Sequence, residues 1–211
     1  MWHKHHICCY HQYSIWRWFV CFFMLITLIS VTSVVRADYA SGKDAYDMEE
    51  YATAWQKLLP LAEAGDTESQ ILIGRMYNNG NGVTADLAKG AAYYKRAATV
   101  GNSRAQALLA FLYTSGRGVP KDHKQALHWY QKAADNGDAY AQLDLAWIYG
   151  EGRSAKLDYV QAYKWYFIVS KNDNICDCLL DGKDIVAAKM TKQEIQQAEV
   201  LASEWLIKKG H

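Results

Sequence analysis

A chain of 211 residues with 51% hydrophobic composition is long enough for one packed domain or a short repeat array, and too apolar to be disordered throughout. Its 23 Lys and Arg against 22 Asp and Glu, with no basic run, exclude a strong polyanion-binding field, so nucleic acid is not an expected partner.

Residues 1–37 differ in composition from the rest. Trp18 to Val35 is apolar apart from Thr and Ser, and it follows a segment whose only charges are Lys4 and Arg17, the order of a secretory signal. Val35 and Ala37 put small residues at the two positions a signal peptidase reads, so cleavage is expected after Ala37, leaving a mature chain from Asp38. The run also approaches the length of a membrane span, so an uncleaved anchor is the alternative. Either way the remainder is exported, periplasmic or secreted, and touches a membrane only through the leader if that stays attached. Cys21 lacks the small residues that precede a lipidated cysteine. The leader holds three basic residues and no acidic one, so the mature chain carries 20 basic and 22 acidic residues. It also takes Cys8, Cys9 and Cys21 with it, leaving Cys176 and Cys178 of five and no disulfide framework in the body of the protein.

Asp44 to Asp66 reads as a helical segment and a second helix that carries Pro60, which should bend it. From there a fixed period of 36 sets in: Gly65, Gly101 and Gly137 share it. Windows starting at Thr67, Ser103 and Ala139 are identical at Gln70/Gln106/Gln142, Tyr77/Tyr113/Tyr149, Gly80/Gly116/Gly152, Asp86/Asp122/Asp158 and Tyr94/Tyr130/Tyr166. Each window predicts two helices joined by a glycine turn. In the second, Ala105, Leu108, Leu109, Leu112 and Tyr113 mark one face of a helix over Ser103 to Thr114. Gly116 and Gly118 can take positive φ in the turn, and Asp122 can cap a second helix over about His123 to Asp135, ended by Gly137. That helix should bury Ala126, Trp129, Tyr130, Ala133 and Ala134. A lone hairpin cannot cover both faces of its helices, so the pairs must stack, with small residues at Gly74/Ala110/Ala146 and Ala97/Ala133 permitting close approach.

The third window drifts, with Ser154 for a turn glycine and Val169, Ser170 and Asp173 in place of Ala, Ala and Gly, and the stack is expected to end there. In the tail, Thr191 and Glu194 form a capping box ahead of a stripe of Ile195, Ala198, Leu201, Ala202 and Trp205, a helix suited to cover the open end.

The string AQALLAFLYTSGRGVPKDHKQALHWYQKAADNGD (Ala105 to Asp138) closely resembles the Sel1-like repeat, a relative of the tetratricopeptide repeat. AAKMTKQEIQQAEVLASEW resembles the C-terminal extension of exported bacterial proteins that carry such repeats. The resemblance runs from about Asp44 to Trp205 and implies an all-α solenoid of stacked antiparallel helix pairs. Its expected parts are a leader (1–37), an N-terminal capping half-repeat (38–66), repeats at 67–102, 103–138 and 139–174, and a C-terminal extension with a capping helix (175–211).

Little in the chain suggests chemistry. His3, His5, His6, Cys8, Cys9 and His11 resemble a soft-metal set only in composition, since their spacing fits no closed zinc module. Cys176 and Cys178 leave open a plain loop, an intermolecular disulfide, or a redox or metal role. His123 and His128 stand five apart, a poor spacing for two ligands on one helix face. The recurrent aspartates are explained by capping. There is no nucleophile elbow, HExxH helix, Walker loop or serine–lysine motif, and the glycine turns lack the Lys-Ser/Thr of a phosphate cradle. No cofactor, metal or catalytic residue is expected.

Function then falls to the surface. By similarity to the tetratricopeptide pattern, the concave face comprises Glu68, Ile71, Arg75 and Asn78, then Arg104, Ala107, Phe111 and Thr114, then Tyr140, Leu143, Trp147 and Gly150. Phe111 and Trp147, with Arg75 in the same row, are the expected anchors for a protein or peptide partner. The competing expectation is a cell-wall enzyme acting on β-lactams or peptidoglycan, as associated with cysteine-rich relatives of this repeat. Those carry a disulfide in each repeat, and these repeats have no cysteine.

Overall fold

The structure, a computed structural model, describes residues 38–152, 155–172, 175 and 181–210. The leader with its His and Cys residues, Ser154, Asp173, Cys176 and Cys178 lie outside the described residues. Every described element is helical, and the chain divides into two units, one up to Leu61 and one from Ala62.

In the first unit, helix α1 (38–47) and helix α2 (Tyr51–Glu63, whose last two residues fall in the second unit) are joined by a tight turn in which Glu49 takes a left-handed φ of 62°. Gly42 lets the two helices meet, since a Cβ there would lie 2.7 Å from Leu58 Cδ2. Ala54 and Leu58 are fully buried, and Lys57 donates to the Ser41 hydroxyl. Helix α2 runs on unbroken through Pro60.

The second unit is built from helix pairs: α3 (Thr67–Asn79) with α4 (Leu87–Thr99), α5 (Ser103–Ser115) with α6 (His123–Asp135), and α7 (Ala139–Glu151) with α8 (Tyr159–Val169). Their ends are set by local chemistry. The side chains of Asp66, Asn102 and Asp138 accept from the backbone N–H three residues on, and Asp86, Asp122 and Asp158 do the same for the second helices. Gly80, Gly116 and Gly152 end the first helices at φ of 74°, 74° and 67°. Gly118 is required twice over, by its φ of 74° and because a Cβ would lie 2.1 Å from the Leu87 carbonyl oxygen. The second glycine of that turn thus rests on the helix start of the preceding pair.

Between pairs, helix α4 packs on α5 and α6 on α7. Ala126, Trp129, Tyr130, Ala133 and Ala134 are all buried, as their spacing predicts. The small residues do what close crossing needs: a Cβ on Gly74 would stand 2.6 Å from the Tyr94 ring. The recurrent glutamines have a role that periodicity alone does not show. Gln70, Gln106 and Gln142 are buried, and each donates through Nε2 to the carbonyl eight residues back, Ala62 at 2.9 Å, Ala98 at 3.1 Å and Ala134 at 3.2 Å. Each carbonyl also accepts from the glycine N–H three residues on, so the glutamine adds a second bond at the end of the helix before it and ties one pair to the next.

Helix α8 is two residues shorter than α4 and α6. Helix α9 (Asp181–Ala187) packs on it, with Gly182 against the Tyr166 hydroxyl. Helix α10 (Lys192–Lys209) starts in the Thr191–Glu194 capping box and lies along α8, with Ala198 and Ala202 fully buried. Trp205 meets Trp165 edge-on at 5.7 Å and donates to Asp135 at 3.2 Å.

Candidate functional site

A helix shows one face every three to four residues, so the second, fifth, ninth and twelfth positions of α3, α5 and α7 form corresponding rows across the three pairs. The structure treats those rows unequally. In the first pair, Ile71 is 1% exposed and belongs to the core, so it cannot meet a partner; the tetratricopeptide analogy misplaces it. Glu68 is half-buried and accepts from Asn102 Nδ2 at 2.8 Å, which engages it in joining one pair to the next. Arg75 is half-buried. Asn78 lies against Gly90, where a Cβ would come within 2.0 Å of its Oδ1.

The second and third pairs present more. Arg104 is exposed, Phe111 is 50% exposed, Tyr140 69% and Trp147 44%, a fraction of aromatic area that an ordinary core would cover. Ala107, Thr114, Leu143 and Gly150 are half-buried, and Leu143 packs on the core. The exposed aromatic surface is thus concentrated on α5 and α7.

One residue on this surface escapes the periodic reading. Asp144 follows Tyr140 by four positions and precedes Trp147 by three, so the three share a face of α7. Its counterparts in the first two pairs are Leu72 and Leu108, and a position held by leucine twice is read as core. The only local signal was the carboxylate replacing leucine. The hydroxyl of the buried Tyr130 lies near both Asp144 and Thr114. Burial, followed by the like charge of Asp138, pushes the Asp144 carboxyl up to about 6, against the lowering effect of the Tyr130 hydroxyl. Asp144 is nevertheless exposed by accessible area. Area covers the whole side chain, whereas the upward shift answers to the atoms that crowd the carboxyl and to the second carboxylate that faces it. Asp138 is itself raised by burial, with the Arg104 charge opposing.

Among the described residues no three of His, Cys, Asp and Glu converge as metal ligands, and no helix is long and apolar enough to cross a membrane. His128 stands edge-on to Trp129 at 5.5 Å.

Stacked antiparallel helix pairs, bound to one another by buried glutamines and displaying side chains from the first helix of each pair, define an α/α solenoid repeat protein. The Sel1 repeat family matches at residues 67–102, 103–138 and 139–168, so the chain carries three Sel1 repeats. Among solved structures, it is similar to a protective antigen of uropathogenic Escherichia coli strains displaying an SLR fold, at 32% identity and a TM-score of 0.66, over 74% of this chain and 33% of that one. It therefore spans a third of that antigen's length. A Sel1 repeat protein from Oxalobacter formigenes shares the fold at 22% identity and a TM-score of 0.61, over 79% of this chain and 74% of its own. Helicobacter pylori cysteine rich protein B aligns at 24% identity and a TM-score of 0.42, over 51% of this chain and 91% of its own. Comparison with curated proteins returned no match. The Sel1-repeat fold commonly mediates protein–protein contacts, and proteins built on it are typically non-catalytic scaffolds.

Proposed function

We propose that this protein is a non-catalytic adaptor, exported to the periplasm or beyond, that binds a protein or an extended peptide on the face formed by its first helices. The observation that carries the reading is the exposure of Phe111 and Trp147 at the same position of successive repeats. Large aromatics held half-open on rigid helices are the residue type that dominates binding energy at protein interfaces. Export rests on the leader sequence, and the concave geometry on the likeness to tetratricopeptide arrays.

The test is capture of the partner from the exported fraction by purified protein and by its Phe111→Ala/Trp147→Ala variant. Loss of about 2 kcal/mol of binding energy, some thirtyfold in affinity, is expected. Because each ring keeps about half its area open, each substitution should cost well under the ~3–5 kcal/mol of a fully buried aromatic. A folded variant that captures its partner as before would place the interface on another face.

A further inference from the structure

Tyr140, Asp144 and Trp147 stand side by side on one face of α7, and all three are exposed. In the first two repeats the place of Asp144 is taken by leucine, so this carboxylate is not part of the repeat's packing. The Tyr130 hydroxyl of α6 lies near it, as does Thr114 of α5 to that hydroxyl. The exposed carboxylate keeps acceptor sites open to solvent. Among the described residues no cation forms an ion pair with Asp144. The charge that bears on it is Asp138, which repels, while Arg104 faces Asp138. An ionised carboxylate without an ion pair among the described residues, flanked along its helix by exposed Tyr140 and Trp147, offers a cation a charge partner among aromatic side chains.

We infer that the Tyr140–Asp144–Trp147 face of α7 receives a lysine or arginine side chain from a basic segment of the protein's partner. This rests on the adaptor reading above and specifies the chemistry of what that surface binds. Bringing a cation to Asp144 relieves the repulsion from Asp138 and replaces the water lost to crowding, so the site gains from a basic ligand and not from an acidic or neutral one.

The experiment titrates the full mature chain, by calorimetry, with two blocked 12-residue peptides of alternating Ala and Lys or alternating Ala and Glu. The lysine peptide should bind and the glutamate peptide should not. Asp144→Asn, which keeps the shape of the side chain and removes its charge, and Trp147→Ala should each weaken lysine-peptide binding about tenfold or more. Glu204→Gln, an exposed carboxylate removed from α10, should leave it unchanged and so account for diffuse charge attraction. Binding should also weaken as pH falls through about 6, where Asp144 takes up its proton. Equal binding of the glutamate peptide, no binding of the lysine peptide, or lysine-peptide binding untouched by Asp144→Asn would each overturn the inference. If natural-partner capture is lost in Phe111→Ala/Trp147→Ala but survives Asp144→Asn, the cation inference falls and the adaptor surface stands. If it survives in both variants, both fall.

Discussion

Gly90 and Gly150 lie within helices α4 and α7, and replacing each with Ala should move stability in opposite directions. The change in helix propensity is the same for both, a gain of about 0.5–1 kcal/mol on leaving glycine. The surroundings differ. A Cβ on Gly150 would meet Val186 Cγ2 at 3.5 Å and Ala162 Cβ at 3.7 Å, ordinary contact that adds a little burial. Gly150→Ala should therefore stabilise by about 1 kcal/mol, some 2–4 °C for a chain of this size. A Cβ on Gly90 would lie 2.0 Å from Asn78 Oδ1, 2.8 Å from its Cγ and 2.9 Å from the Gly74 carbonyl oxygen. Asn78 can turn aside, but the carbonyl belongs to the α3 backbone, so α3 and α4 must part. Overpacking of that kind costs about 1–3 kcal/mol and outweighs the propensity gain. Adding Asn78→Gly to Gly90→Ala recreates the Gly150 and Ala162 pairing of the third repeat and should recover part of the loss, leaving the Gly74 contact. Urea unfolding of these three variants and of Asn78→Gly alone, which completes the double-mutant cycle, reads all of this. If Gly90→Ala stabilised as much as Gly150→Ala, the close crossing of α3 and α4 would be refuted.

Gln106→Leu removes both the bond to the Ala98 carbonyl and the acceptor of Asn136 Nδ2, and should cost about 1–3 kcal/mol, since each bond contributes about 0.5–1.5 kcal/mol while the Ala98 carbonyl keeps the Gly101 N–H. Thermal unfolding checks it, and an unchanged midpoint would mean the glutamines do not join the pairs. For Asp144, the folded carboxyl titrates at about 6, above its ordinary unfolded value of about 3.9. The folded state holds that proton longer, so this group lowers wild-type stability as pH rises from about 4 to about 6. Asp144→Asn should match the wild type near pH 4 and exceed it at pH 7 in urea unfolding; a difference that stays constant across that window would place the carboxyl at its ordinary value.

The helix hairpins were legible from the residues because the forces that bound them are local. A capping aspartate acts on a backbone N–H two or three positions away, and a glycine with positive φ ends its own helix, so Asp122 and Gly116 signal their roles wherever they stand. The period of 36 then repeats those signals three times. The buried faces followed as well, since Ala126, Trp129, Tyr130, Ala133 and Ala134 share one side of any helix that contains them. The part played by Gln106 was not readable in the same way, although its recurrence was plain, because its acceptor lies at the end of the preceding helix.

The surface divides along the same line. That Phe111 and Trp147 occupy equivalent places is a property of the repeat and needs no coordinates. That both are half-open while Ile71 in an adjoining row is covered depends on what the neighbouring repeat lays over each position, and periodicity treats those positions alike. Asp144 shows the limit most clearly: its helix position was known from sequence, but its crowded carboxyl and its nearness to the Tyr130 hydroxyl come from neighbouring helices closing around it. Sequence alone determined the helices, their caps and their order, through contacts within one turn of helix; tertiary structure decided which side chains remain exposed and what charge they meet, because exposure and field are set by atoms distant in the chain.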